Sequence, residues 1–196
     1  DETWKPLRTF GTGYTPVYDI LYADDAVYMA YIEKESFTIG KYENGVFHTV
    51  YCWSGYYPTN AALMQVNNEV WVSSHAGGTF NIAKIDGSSQ LTPLQVHTKN
   101  FTGTNIGNPT AFFFQGKWYA VYSDFNASGE DAKGKIACYD TTDNSWKVVT
   151  TIDRLTKVRI AVSNVVGDTV YIVAQDADNT NAFLIWDGTT LQEQTL

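Results

Sequence analysis

Four stretches of the chain run through apolar residues with little interruption: Val27-Tyr28-Met29-Ala30-Tyr31, Val70-Trp71-Val72-Ser73-Ser74, Trp118-Tyr119-Ala120-Val121-Tyr122 and Val170-Tyr171-Ile172-Val173-Ala174. Each is short, rich in β-branched and aromatic residues, and bounded by turn-forming residues, so each predicts a strand. A sheet with one wet face alternates apolar and polar positions; these strands do not, which predicts sheets covered on both faces. Tyr28, Trp71, Tyr119 and Tyr171 fall into one column with spacings of 43, 48 and 52 residues, the period of a repeat built from small sheets.

Other strands register around that column. First strands are predicted at Asp19–Ala23, Ala61–Val66, Thr110–Phe114 and Ile160–Val165, and third strands at Phe37–Tyr42, Phe80–Ile85, Lys135–Tyr139 and Phe183–Trp186. A variable loop separates the second strand from the third. Each third strand runs into an acidic turn: Glu43-Asn44-Gly45, Asp86-Gly87, Asp143-Asn144 or Asp187-Gly188. Such residues accept the positive φ of tight hairpins, so fourth strands turn back at Val46–Tyr51, Leu91–Val96, Trp146–Thr151 and Leu191–Leu196. Trp4-Lys5-Pro6 and Leu91-Thr92-Pro93 carry proline at the same offset, which suits the outer edge of a sheet, where no ladder donor is needed. The expected architecture is all-β: a β-propeller-like array of four four-stranded antiparallel blades in a single domain over residues 1–196. The repeats cover approximately 16–52, 58–98, 108–152 and 158–196, with an extra N-terminal strand at 1–10. That extra strand either closes the ring or marks the chain as part of something larger, and closure by self-association is a third expectation.

The third repeat is the most regular. Its second strand opens on Trp118-Tyr119, its third strand ends in Tyr139-Asp140, and Trp146 follows six residues after that acid. In these features it resembles a kelch repeat, although Ala120-Val121-Tyr122-Ser123 stands where kelch blades carry paired glycines. The resemblance implies a propeller and no particular activity, since that fold hosts many.

Composition narrows the partners. The 196 residues are 44% hydrophobic and 17% charged, as in an ordinary globular domain, and aromatics reach 15% with 13 Tyr and 6 Trp. Strand packing accounts for most of that excess. A net charge of −8 repels phosphate backbones, which disfavours nucleic acid, and no apolar run reaches the ~20 residues of a membrane-spanning helix. The opening residue Asp1, with no Met, suggests a processed or truncated product. Cys52 and Cys138 match no zinc spacing and are two thiols or one bridge.

Catalytic signatures are absent from the sequence: it holds no Gly-x-Ser-x-Gly, no phosphate-cradling Gly-Lys-Ser/Thr and no His-Glu-x-x-His. Gly13-Tyr14-Thr15-Pro16, Gly55-Tyr56-Tyr57-Pro58 and Gly107-Asn108-Pro109 precede three of the first strands. In a propeller these loops share a rim with the second-to-third-strand loops. Tyr14, Trp53, Tyr56, Tyr57 and His75 are therefore the candidate ligand-binding residues. Asp124, Asn126 and Ser128 alternate before Gly129 as in the start of a calcium loop, making calcium the one candidate cofactor, although Lys135 stands where an EF-hand would place its last acid. The expected function is a non-enzymatic, extracellular or cell-surface binding domain for a protein or glycan. The rivals are a glycan-processing enzyme using acids such as Asp124 or Asp176, and a structural or assembly domain.

Overall fold

The computed structural model describes residues 16–76, 79–85, 92–97, 105–125, 133–156, 160–175 and 179–194. The expected extra strand at 1–10 lies outside them. Sixteen strands are present among the described residues: β1 Val17–Ala23, β2 Ala26–Glu33, β3 Ser36–Glu43, β4 Val46–Ser54, β5 Asn60–Val66, β6 Glu69–Ala76, β7 Thr79–Ile85, β8 Thr92–His97, β9 Asn105–Phe114, β10 Lys117–Phe125, β11 Lys133–Asp140, β12 Ser145–Thr156, β13 Ile160–Val166, β14 Thr169–Gln175, β15 Asn181–Trp186 and β16 Leu191–Gln194. They form four four-stranded antiparallel sheets in chain order, β1 to β4, β5 to β8, β9 to β12 and β13 to β16. The chain is thus a propeller-like array of four blades, and Pro93 lies on the edge strand β8. No helix among the described residues is long and apolar enough to cross a membrane. Cys52 and Cys138 are both free thiols.

The hairpins follow from local chemistry. Asp24-Asp25 and Asn67-Asn68 join first to second strands with φ of 50° and 56°, and of 50° and 63°, the left-handed values that Asp and Asn tolerate best after glycine. Lys34 and Glu35 are the surprise. The sequence predicts a variable loop there, but the two residues form a tight turn between β2 and β3 with φ of 48° and 61°. Neither side chain favours that region, at a cost of about 1 kcal/mol per residue, and a hydrogen bond from Gly55 N to Glu35 O at 3.0 Å holds the turn. In the third blade Tyr139 pairs directly with Trp146, their rings 5.3 Å apart, and Asp140 accepts Thr142 N at 2.8 Å to shape the turn between them. Those contacts give the Tyr139-Asp140…Trp146 spacing a structural purpose.

Two strands run five residues beyond their expected ends. β9 begins at Asn105 rather than near Thr110, and β12 continues to Thr156 rather than Thr151. Register shifts at Val121/Ser123 and at Ile136/Ala137 explain this, because a bulge changes which residues face the core while the ladder continues. A similar shift at Ile39/Gly40 lies under the ring of Phe47, which covers Gly40 so closely that a side chain there would collide with it.

Packing occurs face to face between successive blades. The first interface joins Tyr28, Ala30, Phe37 and Ile39 of blade one to Leu63, Val70 and Val72 of blade two. The second joins Phe80, Ile82 and Trp71 to Tyr122, Trp118 and Trp146, and the third joins Phe112, Tyr119 and Ile136 to Val170, Ile172 and Trp186. The innermost strands β1, β5, β9 and β13 neighbour one another in that order. All four contribute to one axial cavity of about 280 Å³, lined by Leu21, Leu63, Met64, Phe112, Asn164 and Val165 among others.

An innermost strand has one edge without a partner strand, and its backbone groups need other acceptors and donors. Side chains from the neighbouring blade supply them. Asp19 of β1 accepts Leu63 N of β5 at 2.7 Å, and Ser73 of β6 accepts Ala111 N of β9 at 3.4 Å. Asn60 of β5 donates to Thr110 of β9 at 2.6 Å, and Thr110 in turn donates to Ala161 O of β13 at 2.9 Å. Thr110 therefore links blades two, three and four through one hydroxyl. Replacing it with the near-isosteric valine (Thr110→Val) leaves two buried polar groups unsatisfied. We expect a loss of about 1–3 kcal/mol, read as a lower urea midpoint at unchanged m-value.

Candidate recognition site

The linker between β4 and β5 builds the richest part of the rim. Its entry is fixed by Gly55, whose φ of 70° turns the chain, and its exit by Thr59, whose backbone N–H donates to His75 O at 2.7 Å. Tyr18 donates to Pro58 O at 2.7 Å, tying the same linker to blade one. Across the first blade Ile32 N donates to Pro16 O at 3.0 Å, so the loops before the first strands and the ends of the second strands do meet on one rim.

Trp53 and Tyr56 lie stacked at this linker, with ring centroids 3.9 Å apart and planes 7° from parallel. Tyr56 also sets its edge against the buried Phe37 at 5.9 Å. Its hydroxyl meets Ser74 Oγ at 3.1 Å and accepts Asn81 Nδ2 at 3.2 Å. Burial raises the pKa of Tyr56 above the usual phenol value, opposed by those two hydrogen bonds, so the hydroxyl stays protonated. The adjacent Tyr57 points outward, 51% exposed. Two rings are thus locked and one is presented.

His75 closes the site from below. The residue is 8% exposed; Thr59 Oγ1 lies 3.0 Å from Nδ1, while Nε2 is buried with no partner. Burial alone depresses its pKa below 6.5. Of the five residues singled out from sequence, the structure gathers Trp53, Tyr56, Tyr57 and His75 around this linker, and Tyr14 lies outside the described residues. Sequence reading missed Thr59, Ser74 and Asn81. The available signal was polarity inside apolar strands, Ser73-Ser74-His75 closing β6 and Asn81 in β7, read instead as strand packing.

The metal expectation has less to stand on. Asp124 lies on β10, while Asn126 and Ser128 fall outside the described residues, as does Asp176. Among the described residues no group of three or more His, Cys, Asp or Glu side chains is placed to hold a metal ion. Acids elsewhere are engaged. Asp140 is drawn down to about 2 by its hydrogen bond to Lys147 and by Thr142, so it is poised as an anion rather than a proton donor. Burial raises Asp19, but both of its oxygens accept backbone N–H groups, from Leu63 and Ile20. A wider groove of about 590 Å³ opens at the opposite rim beside Lys117, Trp118, Cys138, Tyr139 and Lys147, away from the aromatic linker.

No family model matches the chain, and no curated protein matches it. Solved structures do. A thermostable family-43 glycoside hydrolase superposes with TM-score 0.62 at 11% identity, over 95% of this chain and 75% of that one. The xyloglucan PUL GH43B of Bacteroides ovatus gives 0.63 at 12% identity, over 98% of this chain and 42% of that one. The lectin of Aleuria aurantia, a six-bladed β-propeller with a fucose recognition mode, gives 0.59 at 15% identity, over 93% of this chain and 62% of that one. The chain spans less than two thirds of the latter two. Identities this low establish a shared propeller fold and nothing finer.

The buried histidine generates a pH prediction. Its folded pKa lies below the unfolded value, so the unfolded state binds the extra proton first. The stabilisation is complete above 6.5 and is lost as pH falls through the folded pKa. Thermal melts from neutral to about pH 5 should show a falling Tm, and His75→Gln should flatten that part of the profile.

Proposed function

We propose that this chain is a non-enzymatic glycan-recognition module, acting outside the cell, that binds through the aromatic linker of its rim. The observation that carries the reading is the Trp53–Tyr56 stack with Tyr57 presented beside it. Sugar rings offer flat C–H faces that pack on aromatic faces, and their hydroxyls need fixed polar partners. Here the aromatic frame is rigid because Ser74 and Asn81 hold the Tyr56 hydroxyl, so little side-chain freedom remains to be lost on binding. The similar folds described above include a fucose-recognising lectin and glycoside hydrolases, which supports a glycan over a protein ligand. The kelch-like third repeat and the calcium loop belong to the same reading as secondary features, a frame variant and a loop stabiliser.

A glycan-processing enzyme is the rival. Hydrolysis needs two carboxyl groups facing one another across the bond to be cut, about 5–10 Å apart. Asp19 is tied to backbone N–H groups, and Asp140 and Asp143 share Lys147, which suits structural anions better than a catalytic pair.

The test is a fluorescence or calorimetric titration with fucosylated glycans and xyloglucan oligosaccharides, alongside an assay for released reducing ends. Binding without release is expected. Tyr57→Ala should weaken it by roughly tenfold or more, the loss of an aromatic anchor worth about 2 kcal/mol, without moving Tm. Release of reducing ends, or affinity unchanged in Tyr57→Ala, would overturn the proposal.

A further inference from the structure

Tight turns at positive φ recur along the chain, and the residues that fill them are almost all of one kind. Asp24-Asp25, Asn67-Asn68 and Asn44-Gly45 use Asp, Asn or Gly at both positions, and Gln115 is followed by Gly116. Lys34-Glu35 is the exception. Among the described residues it is the one turn whose positive-φ residues include no Gly, Asn or Asp. The corresponding connection of blade two, between β6 and β7, is also two residues long and reads Gly77-Gly78. One repeat on, the sequence thus supplies the pair that costs least at positive φ, whereas blade one carries two long charged residues.

The strained turn lies beside the aromatic linker. In the ladder between β3 and β4, Ser36 pairs with Ser54 and Phe37 with Trp53, so the turn and the start of the linker sit side by side at one end of the sheet. Gly55 N donates to Glu35 O at 3.0 Å, and Ser36 Oγ donates to Lys34 O at 3.4 Å. Both bonds go to backbone oxygens, so the conformation is held without using either charged group. Lys34 and Glu35 are exposed, and among the described residues neither charged group has an ion pair or a side-chain hydrogen bond. By contrast Lys41 is held by Glu43, and Lys84 by Glu69. Backbone strain that the surroundings over-determine gathers at ligand clamps and other working surfaces. Here it presents two charges that the fold itself leaves unused.

We propose that the Lys34-Glu35 turn is the specificity-determining wall of the recognition rim, its ammonium donating to and its carboxylate accepting from neighbouring hydroxyls of a neutral sugar seated at Tyr57. The inference rests on the glycan reading and deepens it. A hydroxyl both donates and accepts, so a cation and an anion on adjacent residues match a pair of hydroxyls. Hydrogen bonds to charged groups are also the stronger kind. An acidic sugar fits worse: its carboxylate would meet Glu35 as well as Lys34, on a chain whose net charge is −8.

Two turn variants test the proposal, through thermal melts and calorimetric titration with xyloglucan and fucosylated oligosaccharides, and with oligogalacturonate as the acidic probe. Lys34→Asn combined with Glu35→Gly gives the turn a pair suited to positive φ. It should melt about 2–4 °C higher and bind the neutral probes roughly tenfold more weakly. Lys34→Met combined with Glu35→Gln removes the charges and keeps the bulk, and should show the same loss of affinity at unchanged Tm. A variant that gains stability as it loses affinity has lost a ligand contact and not its fold. Turn variants that bind like the wild type, while Tyr57→Ala loses affinity, overturn this proposal and leave the glycan reading standing. So does tighter binding of oligogalacturonate than of the neutral probes, or a relaxed turn that melts no higher. A wild-type chain that binds none of the probes overturns both.

Discussion

Successive blades in this protein bury apolar faces against one another, and the inner blades are covered by a neighbour on each side. That single constraint organises the molecule. Residues such as Val72 and Trp71, adjacent in β6, point in opposite directions, and each is covered by a different neighbouring sheet. A sheet of this kind acquires stability only from its neighbours, as in other repeat architectures, so the blades are ordered by chain connection and held by the interfaces between them. Burial is non-directional, however, and would allow the sheets to slide. The hydrogen bonds at the axis set their register: Asp19 to Leu63, Asn60 to Thr110 and Thr110 to Ala161 can form in one alignment only.

The rim inherits its rigidity from the same arrangement. The β4–β5 linker crosses from one blade to the next, so it is anchored on both sides of the first interface, through Tyr18 in blade one and His75 in blade two. Tyr56 belongs at once to the core, by its contact with Phe37, and to the rim, by its stack with Trp53. Recognition and folding share residues here. A ligand resting on this linker would read surfaces whose positions are set by blade packing rather than by loop sequence. That is the physical sense in which a propeller separates a constant frame from a variable binding surface.

Much of this was legible in the chain. The unbroken apolar runs announced sheets covered twice, which holds for β2, β6 and β10 but not for β14, where burial alternates and Val173 is 48% exposed; the acidic and glycine-bearing turns announced the hairpins, and the column at Tyr28, Trp71, Tyr119 and Tyr171 announced the repeat. Strand ends at β9 and β12 were less legible, because a bulge destroys the alternation by which an end is located. The Lys34-Glu35 turn was illegible for a related reason: its residues carry no local preference for positive φ, and the bond from Gly55, twenty residues later, holds it. Thr59, Ser74 and Asn81 escaped notice because a polar residue in a strand shows its partner only once the strands are assembled.

Periodicity and turn chemistry are local properties, and they determined the class of fold and the order of the strands within each blade. Which face of each strand meets which neighbour, how the inner edges are satisfied and where the aromatic linker comes to rest are relations between residues distant in the chain. The sharing of one hydroxyl by three blades at Thr110, and the stacking of Trp53 on Tyr56 above a neutral His75, depend on distances that no local preference encodes. Only the packed structure could decide them, because packing converts separate apolar strands into one set of mutual positions.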